Sequence, residues 1–254
     1  MSSEISKDEL SPAVSFALPF IFAPIIVISS LFGGYSILIA PIFGYILITL
    51  FDFLLKISTK NPNPQLKTDL FYYKVILWTW PIIQFSLIFW CIFAVATFEH
   101  LSTWECIFLL MAQGMVTGAV GITFAHELMH QKSSGDRWLA DILMAMSLYG
   151  HFRTEHLLVH HRYVGTSKDA VTARYNESFF SFFLRVLPSC LKSAWLEEAN
   201  RLEKIGKSIS DIKNPFWRYG GLALFFLLLS YIIGGFFGIF MFLVQAFIAV
   251  LHLE

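Results

Sequence analysis

The sequence is poor in charged residues. Aspartate, glutamate, lysine and arginine make up 14% of its 254 residues, whereas a soluble domain has about 25%. Hydrophobic residues reach 56% and aromatic residues 17%, so we expect the lipid bilayer to be the main solvent of this chain. The formal net charge is zero, which excludes the overall basic field of a protein that binds nucleic acid.

Cysteine is also scarce. The three cysteines, Cys91, Cys106 and Cys190, are far apart and form no Cys-x-x-Cys pair, which excludes zinc ribbons and iron–sulfur sites. The N-terminal segment, Met1 to Leu10, lacks the positive region and the short apolar stretch of a cleaved signal peptide. We therefore expect the first hydrophobic segment to remain in the protein.

Long apolar stretches, by contrast, are abundant, and a membrane-spanning helix needs roughly 20 mainly apolar residues. Six stretches meet this requirement: Ala13 to Phe32, Tyr35 to Leu55, Val75 to Phe98, Cys106 to Ala125, Trp217 to Ile233 and Phe236 to Leu253. Only Gly33-Gly34 joins the first two and only Gly234-Gly235 joins the last two, which predicts two tight helical hairpins. The sequence thus predicts an all-α integral membrane protein with a single domain over residues 1–254.

Lysine and arginine predict the orientation of these spans, because cytoplasmic loops carry the excess of positive charge. All 18 basic residues lie in the N-terminal tail (Lys7), in the loop with Lys56, Lys60, Lys67 and Lys74, or between Lys132 and Arg218. The N-terminus and both polar segments are therefore expected on the cytoplasmic side. Residues 126–216 are predicted to form a cytoplasmic helical cap.

Five of the eight histidines form two clusters at the start of this cap. His126 and His130 are four residues apart and share one face of a helix, as do His156 and His160. His161 lies one step further round the helix, where it could reach a different ion. The two clusters therefore predict a site for two metal ions, with all five histidines as ligands.

Other polar residues near the clusters have weaker claims. His151, Glu155 and Asp169 are candidates to orient a ligating imidazole through a hydrogen bond, although solvated or packing roles are as compatible with the sequence. His252, near the cytoplasmic end of the last span, could approach the site, with an ordinary interfacial histidine as the simpler interpretation.

The residue types leave the metal open. His126-Glu127-Leu128-Met129-His130 spells the motif of a zinc metalloprotease, in which Glu127 would be the general base. Such a protease needs only three protein ligands, so the second histidine cluster would be surplus. Imidazole suits iron, zinc and copper alike, and iron adds a redox capacity that zinc lacks. An oxygenase and a membrane zinc protease are both compatible with this motif.

Longer sequence motifs resemble those of a known protein family. Ala125 to His130 and Glu155 to His161 resemble the first two of three histidine boxes in membrane fatty acid desaturases and hydroxylases. The segment Arg162 to Arg174, followed by Tyr175 to Phe180 and by Ala194 to Glu197, is similar to the alkane 1-monooxygenases within that group. Phe51-Asp52 and the Asn61-Pro62 loop are similar to that family too.

The resemblance implies a fold, a reaction and partners. It implies a multi-pass protein of the bacterial inner membrane with two non-haem iron ions, which uses O2 to convert a medium- to long-chain alkane to a primary alcohol. It implies rubredoxin and an NADH-dependent rubredoxin reductase as electron donors. The basic residues of the cap, Arg153, Arg162, Lys168, Arg174 and Arg185, would offer a docking surface to such an acidic donor. A membrane fatty acid desaturase or another hydrocarbon hydroxylase remains the alternative.

The sequence departs from the family pattern in two ways. Met129, Leu157 and Val159 replace small or polar residues between the histidines, which alters local packing and leaves every histidine in place. The family's third histidine box is absent, and the chain stops at Leu253-Glu254, where the stretch before that box would begin. We therefore expect a C-terminally truncated fragment that is inactive or poorly metallated by itself.

Overall fold

Helices account for all the regular structure in the described part of this computed structural model, which comprises residues 16–55 and 71–254 without the side chains of Asp52 and Leu55. The helices are α1 (Leu18–Phe32), α2 (34–55), α3 (Phe71–Thr97), α4 (Thr103–Met129), α5 (Ser134–Met146), α6 (152–163), α7 (Phe179–Lys204) and α8 (Phe216–Leu253). Short 3-10 and π-helical turns are included in these ranges. The predicted all-α membrane class is confirmed.

The apolar helices lie where the hydrophobic stretches were predicted. Stretches in α2, α3, α4, α7 and α8 are long and apolar enough to cross a membrane, whereas α1 is shorter. A straight helix of 38 residues such as α8 would measure about 57 Å, nearly twice the thickness of the hydrocarbon layer. Gly235 interrupts α8 and divides it into the two predicted spans. The predicted start of the first span, residues 13–15, lies outside the described residues.

Glycines with positive φ make the two hairpin turns possible. Gly33, Gly34 and Gly235 have φ of 64°, 61° and 62°, a region in which a side chain would be strained. A Cβ on Gly33 would also lie 2.8 Å from Glu105 Oε1, and the Gly34 amide donates to that same carboxylate. Glu105 therefore ties the first hairpin to the start of α4.

Small residues bring α4 and the second half of α8 into close contact. A Cβ on Gly118 would lie 2.5 Å from the Ala249 carbonyl oxygen, so only glycine permits this approach. Beside it, Gln113 donates to Thr117, and Thr117 donates to Gln245, at 3.0 and 3.2 Å. These buried amides and hydroxyl satisfy one another inside the apolar bundle, which stabilises the position of α4.

Ion pairs and hydrogen bonds join the cap helices to the bundle. Asp141 of α5, which is fully buried, lies 2.8 Å from Arg153 of α6 and 2.7 Å from Arg218 of α8. Thr154 of α6 donates to Glu198 of α7 at 3.2 Å. A buried carboxylate needs such partners, so these contacts hold α6, which carries the second histidine cluster, against the end of the bundle.

The composition of α7 makes it both a predicted cap helix and a candidate span. Its C-terminal half is rich in charged residues, and Arg201 pairs there with Glu198 at 2.6 Å.

The side of the membrane on which the cap lies stays a prediction. The basic tail and loop that support it, with Lys7, Lys56, Lys60 and Lys67, lie outside the described residues, as does the Asn61-Pro62 loop.

Candidate metal centre

The first histidine pair lies at the end of α4. His126 is in its last helical turn and His130 is its C-cap, so their imidazoles project from the same face. Their Nε2 atoms are 3.3 Å apart. Ile122 and Ala125, just before the pair, are buried in the bundle, so the pair emerges where the span meets the cap.

The second histidine cluster is arranged differently from the prediction. Residues Glu155–His160 form a π-helical turn, in which side chains five residues apart share a face. His156 therefore pairs with His161, at 3.1 Å between their Nε2 atoms. The His160 ring also stacks on the His156 ring, with centroids 5.4 Å apart, so the wider turn adds His161 to the expected neighbours His156 and His160.

Four imidazoles converge at one point. His156 Nε2 lies 2.9 Å from His126 Nε2, 3.2 Å from His130 Nε2 and 3.1 Å from His161 Nε2. Nitrogen ligands at about 2.0–2.1 Å from one tetrahedral ion would be about 3.3 Å apart, which the separations of 2.9, 3.2 and 3.3 Å among His126, His130 and His156 match. Three of these residues, His126, His130 and His156, have donor atoms that all lie within 4.8 Å of one another.

The surroundings keep the central imidazole neutral. Burial, followed by the neighbouring histidines, lowers the pKa of His156 to about 3. Burial also lowers the pKa of His130. A neutral imidazole is the form that binds metal, so the cluster is ready for ligation at neutral pH.

His160 stacks on His156 and also contacts Asp169. Its Nδ1 lies 3.1 Å from Asp169 Oδ2, and the Asp169 side chain is fully buried. The same carboxylate accepts hydrogen bonds from the Thr172 hydroxyl at 2.7 Å and from the Val171 amide at 3.2 Å. A carboxylate held in this way fixes the orientation of the imidazole and leaves its Nε2 available as a ligand.

Glu155, next to His156, is buried with both carboxylate oxygens lacking a hydrogen-bond partner among the described residues. Burial, together with Asp169 and Glu254, raises its pKa to about 8. A buried carboxyl without partners is costly, and a cation beside it would remove that cost. The unpartnered carboxyl of Glu155 therefore agrees with a metal ion bound near His156.

Two other candidate histidines lie apart from the convergence point. The ring of His151 packs edge-on against Tyr149 with centroids 4.5 Å apart, and burial lowers its pKa to about 4. His252 contacts the Tyr45 hydroxyl through Nε2, while its Nδ1 lies 2.7 Å from the Ile248 carbonyl oxygen.

The basic residues of the cap differ in how exposed they are. Arg153 is engaged by buried Asp141. Arg185 donates two hydrogen bonds of 2.7 Å to Glu177, which lowers the pKa of Glu177 to about 2. The remaining three, Arg162, Lys168 and Arg174, are exposed, and Arg162 lies 3.4 Å from Glu197.

Two apolar cavities lie along α4. The larger, about 630 Å³, is lined by residues of α1, α2, α4 and α8, including Phe22, Phe43, Met115 and Val120, and by His252. The smaller, about 400 Å³, is lined by residues of α3 and α4 that include Glu127. Val120 precedes His126 by six residues, or about 9 Å along the helix.

Sequence reasoning missed the residues that support the cluster through tertiary contacts. Thr172 completes the hydrogen bonds of Asp169, and Tyr149 donates to Glu254 at 3.0 Å. Asp141 joins two arginines from different helices. Only Asp169 and Thr172, three residues apart, have a spacing that a local pattern could reveal. For Asp141, the available signal was a charged residue inside the apolar face of α5.

Comparison with known proteins agrees with this arrangement. The sequence profile of the family described as "Fatty acid desaturase" matches residues 102–254. The chain is 36% identical to alkane 1-monooxygenase 1 of Alcanivorax borkumensis over 177 residues, which is 68% of the chain and 43% of that relative. It is 32% identical to alkane 1-monooxygenase 1 of Pseudomonas aeruginosa over 234 residues, which is 88% of the chain and 59% of that relative.

A more distant relative has a different substrate in its name. The hydroxylase component of a xylene/toluene monooxygenase from Pseudomonas putida is 28% identical over 117 residues, which is 45% of the chain and 31% of that protein. The chain spans about half the length of the two alkane 1-monooxygenases. Because the matched profile covers more than half of the chain and both histidine clusters, this protein belongs to the fatty acid desaturase family, in the part of it that resembles alkane monooxygenases.

Proposed function

We propose that this chain is the membrane-embedded, histidine-ligated part of an alkane 1-monooxygenase, which inserts one oxygen atom of O2 into a terminal carbon–hydrogen bond to form a primary alcohol. The observation that carries the proposal is the convergence of four imidazoles at the end of an apolar bundle. The similarity to two alkane 1-monooxygenases supports the same reaction.

The metal ligands in this proposal are His126, His130, His156, His160 and His161, and the metal is a pair of iron ions. The donor set supports it, because imidazole suits iron and because four Nε2 atoms already meet. Bound iron would supply the redox chemistry that activates O2. Asp169 would hold the His160 imidazole in one orientation through Nδ1.

The apolar cavities support a hydrocarbon substrate. Their walls are mainly aliphatic and aromatic side chains, which would bind an alkyl chain by burying it and would exclude water from the reaction. Both cavities adjoin α4, the helix that ends in the first histidine pair. An alkane held along α4 would therefore reach towards His126 with one end.

Electrons would come from rubredoxin and its NADH-dependent reductase at the cap, and the protein would lie in a bacterial inner membrane with the cap in the cytoplasm. The exposed residues Arg162, Lys168 and Arg174 are the best placed of the five basic candidates, because Arg153 and Arg185 are engaged by carboxylates. Replacing the three by glutamate should slow reduction by rubredoxin and leave the iron content unchanged. Equal reduction rates would exclude this docking surface.

The competing reactions differ in product and metal. A desaturase, as the family's description suggests, would release an alkene or unsaturated acyl chain without retaining oxygen. A zinc protease would use Glu127 as a base, and the Glu127 side chain is 60% exposed with Oε1 3.8 Å from His126 Nδ1. It would bind one zinc ion, and would leave His161 and His160 without a role.

The experiment expresses the complete gene that encodes this chain in a host without alkane oxidation, together with rubredoxin, its reductase and iron. Octane or hexadecane is supplied under ¹⁸O2, and products are analysed by mass spectrometry. We expect a labelled primary alcohol that disappears in His126→Ala and persists in Lys132→Ala, an exposed residue outside the cluster. An alkene product, or zinc as the only metal retained, would overturn the proposal.

A further inference from the structure

A wide basic cavity lies at the junction of the cap and the second hairpin. It has a volume of about 820 Å³ and is lined by residues of α5, α6, α7, α8 and the loop before α8. Four of its lining side chains are cationic: Arg153, Arg201, Lys213 and Arg218. None of the metal ligands proposed above lines this cavity.

Carboxylates neutralise only part of this charge. Buried Asp141 pairs with Arg153 and Arg218, and Glu198 pairs with Arg201 at 2.6 Å. Two carboxylates thus face four cations, which leaves two positive charges in excess. Lys213 is exposed and forms no ion pair among the described residues. The cavity therefore attracts an anion.

Exposed aromatic residues show the level at which this cavity meets the bilayer. Trp217 is the second residue of α8 and is 58% exposed, and Trp138 is 49% exposed across the cavity. Tryptophan is enriched where a membrane meets water, and the apolar part of α8 begins after Trp217 and Arg218. Ile212, 86% exposed at the rim, adds an apolar surface beside the cations. The cavity thus lies at the depth of lipid headgroups.

We propose that this cavity binds the headgroup of an anionic phospholipid, with its phosphate near Lys213 and Arg201. Basic pockets beside spanning helices attract anionic headgroups, and each lysine or arginine near the surface contributes to that attraction. The arginines paired with Asp141 are already held in position, so the cavity is formed before the lipid arrives. Trp217 and Ile212 would contact the lipid where its acyl chains begin.

The site would connect lipid binding to the metal centre. Thr154, Leu157 and Leu158 of α6 line the cavity, and His156 and His161 project from the same short helix. A lipid in the cavity would thus contact α6 through these three residues and would stabilise the helix that carries His156 and His161.

The experiment measures lipid retained by the purified chain with native mass spectrometry in detergent. The probes are dioleoyl phosphatidylglycerol and dioleoyl phosphatidylcholine, with millimolar inorganic phosphate as a competitor. We expect preferential retention of phosphatidylglycerol, about fivefold weaker in Lys213→Gln and about 25-fold weaker in Lys213→Glu, from one and two units of charge. Lys132→Glu changes the net charge as Lys213→Glu does, at an exposed position outside the cavity, and should retain the lipid.

Each contrary outcome overturns the proposal. Equal retention of the two lipids would exclude an anionic headgroup site, and equal losses in Lys213→Glu and Lys132→Glu would attribute binding to overall charge. Complete displacement by inorganic phosphate would assign the cavity to free phosphate. If Lys213→Glu retained phosphatidylglycerol and lost reduction by rubredoxin, the cavity would be a protein-docking surface. Because Lys213 is exposed, an unchanged circular dichroism spectrum is expected for every variant.

Discussion

Gly118 offers a sharp test of how the bundle positions the first histidine pair. In Gly118→Ala, the added methyl group would lie 2.5 Å from the Ala249 carbonyl oxygen and 2.8 Å from His252 Cβ. Ordinary contact begins at 3.4 Å, so α4 and α8 must separate locally by 0.9 Å. Overpacking of this kind costs about 1–3 kcal/mol. The higher helix propensity of alanine offsets about 1 kcal/mol of that cost.

The assay is reversible unfolding in mixed micelles, followed by circular dichroism, with cobalt binding to the histidine cluster as a second measurement. We expect Gly118→Ala to lower the free energy of unfolding by up to about 2 kcal/mol. Cobalt affinity should fall as well, because metal sites tolerate displacements of only about 0.5 Å. The matched control is Gly220→Ala, whose new Cβ has no neighbour within 4 Å, and which should be neutral or slightly stabilising. Unchanged stability in Gly118→Ala would refute the close packing of α4 on α8.

Four further substitutions test the cluster and its surroundings. His161→Ala should weaken cobalt binding by about tenfold or more and His160→Ala by less, as measured by titration of the visible spectrum, because His161 joins the four converging imidazoles. Asp169→Asn should lower metal affinity by about 10–100-fold, measured by competition with a chelator, because it weakens the hold on His160. Arg185→Gln should return the pKa of Glu177 from about 2 towards 4.5. Glu177 stabilises the wild-type fold above pH 4.5, and this contribution is lost as the pH falls towards 2; in Arg185→Gln acid titrations of stability should show no such loss.

Much of the fold follows from local sequence. Stretches of about 20 apolar residues can satisfy their backbone polar groups in a bilayer only as helices, so their positions are readable without a structure. Gly33, Gly34 and Gly235 were identifiable as turns because only glycine adopts their φ readily. The status of α7 was harder to predict, because its apolar N-terminal half and charged C-terminal half average to a composition that suits either a span or a cap.

The candidate site likewise has features that the local sequence predicts and features that only packing decides. Sequence by itself determined which residue types are concentrated at the end of α4 and in α6, and it predicted the pairing of His126 with His130, because an α-helical turn repeats on the same face after four residues. Only the structure decided that the Nε2 atoms of His161 and His156 lie 3.1 Å apart, because a π-helical turn changes the repeat to five residues. The partners of His160 and Arg153 were likewise decided by packing, since Asp169 and Asp141 reach them through contacts that no local repeat encodes.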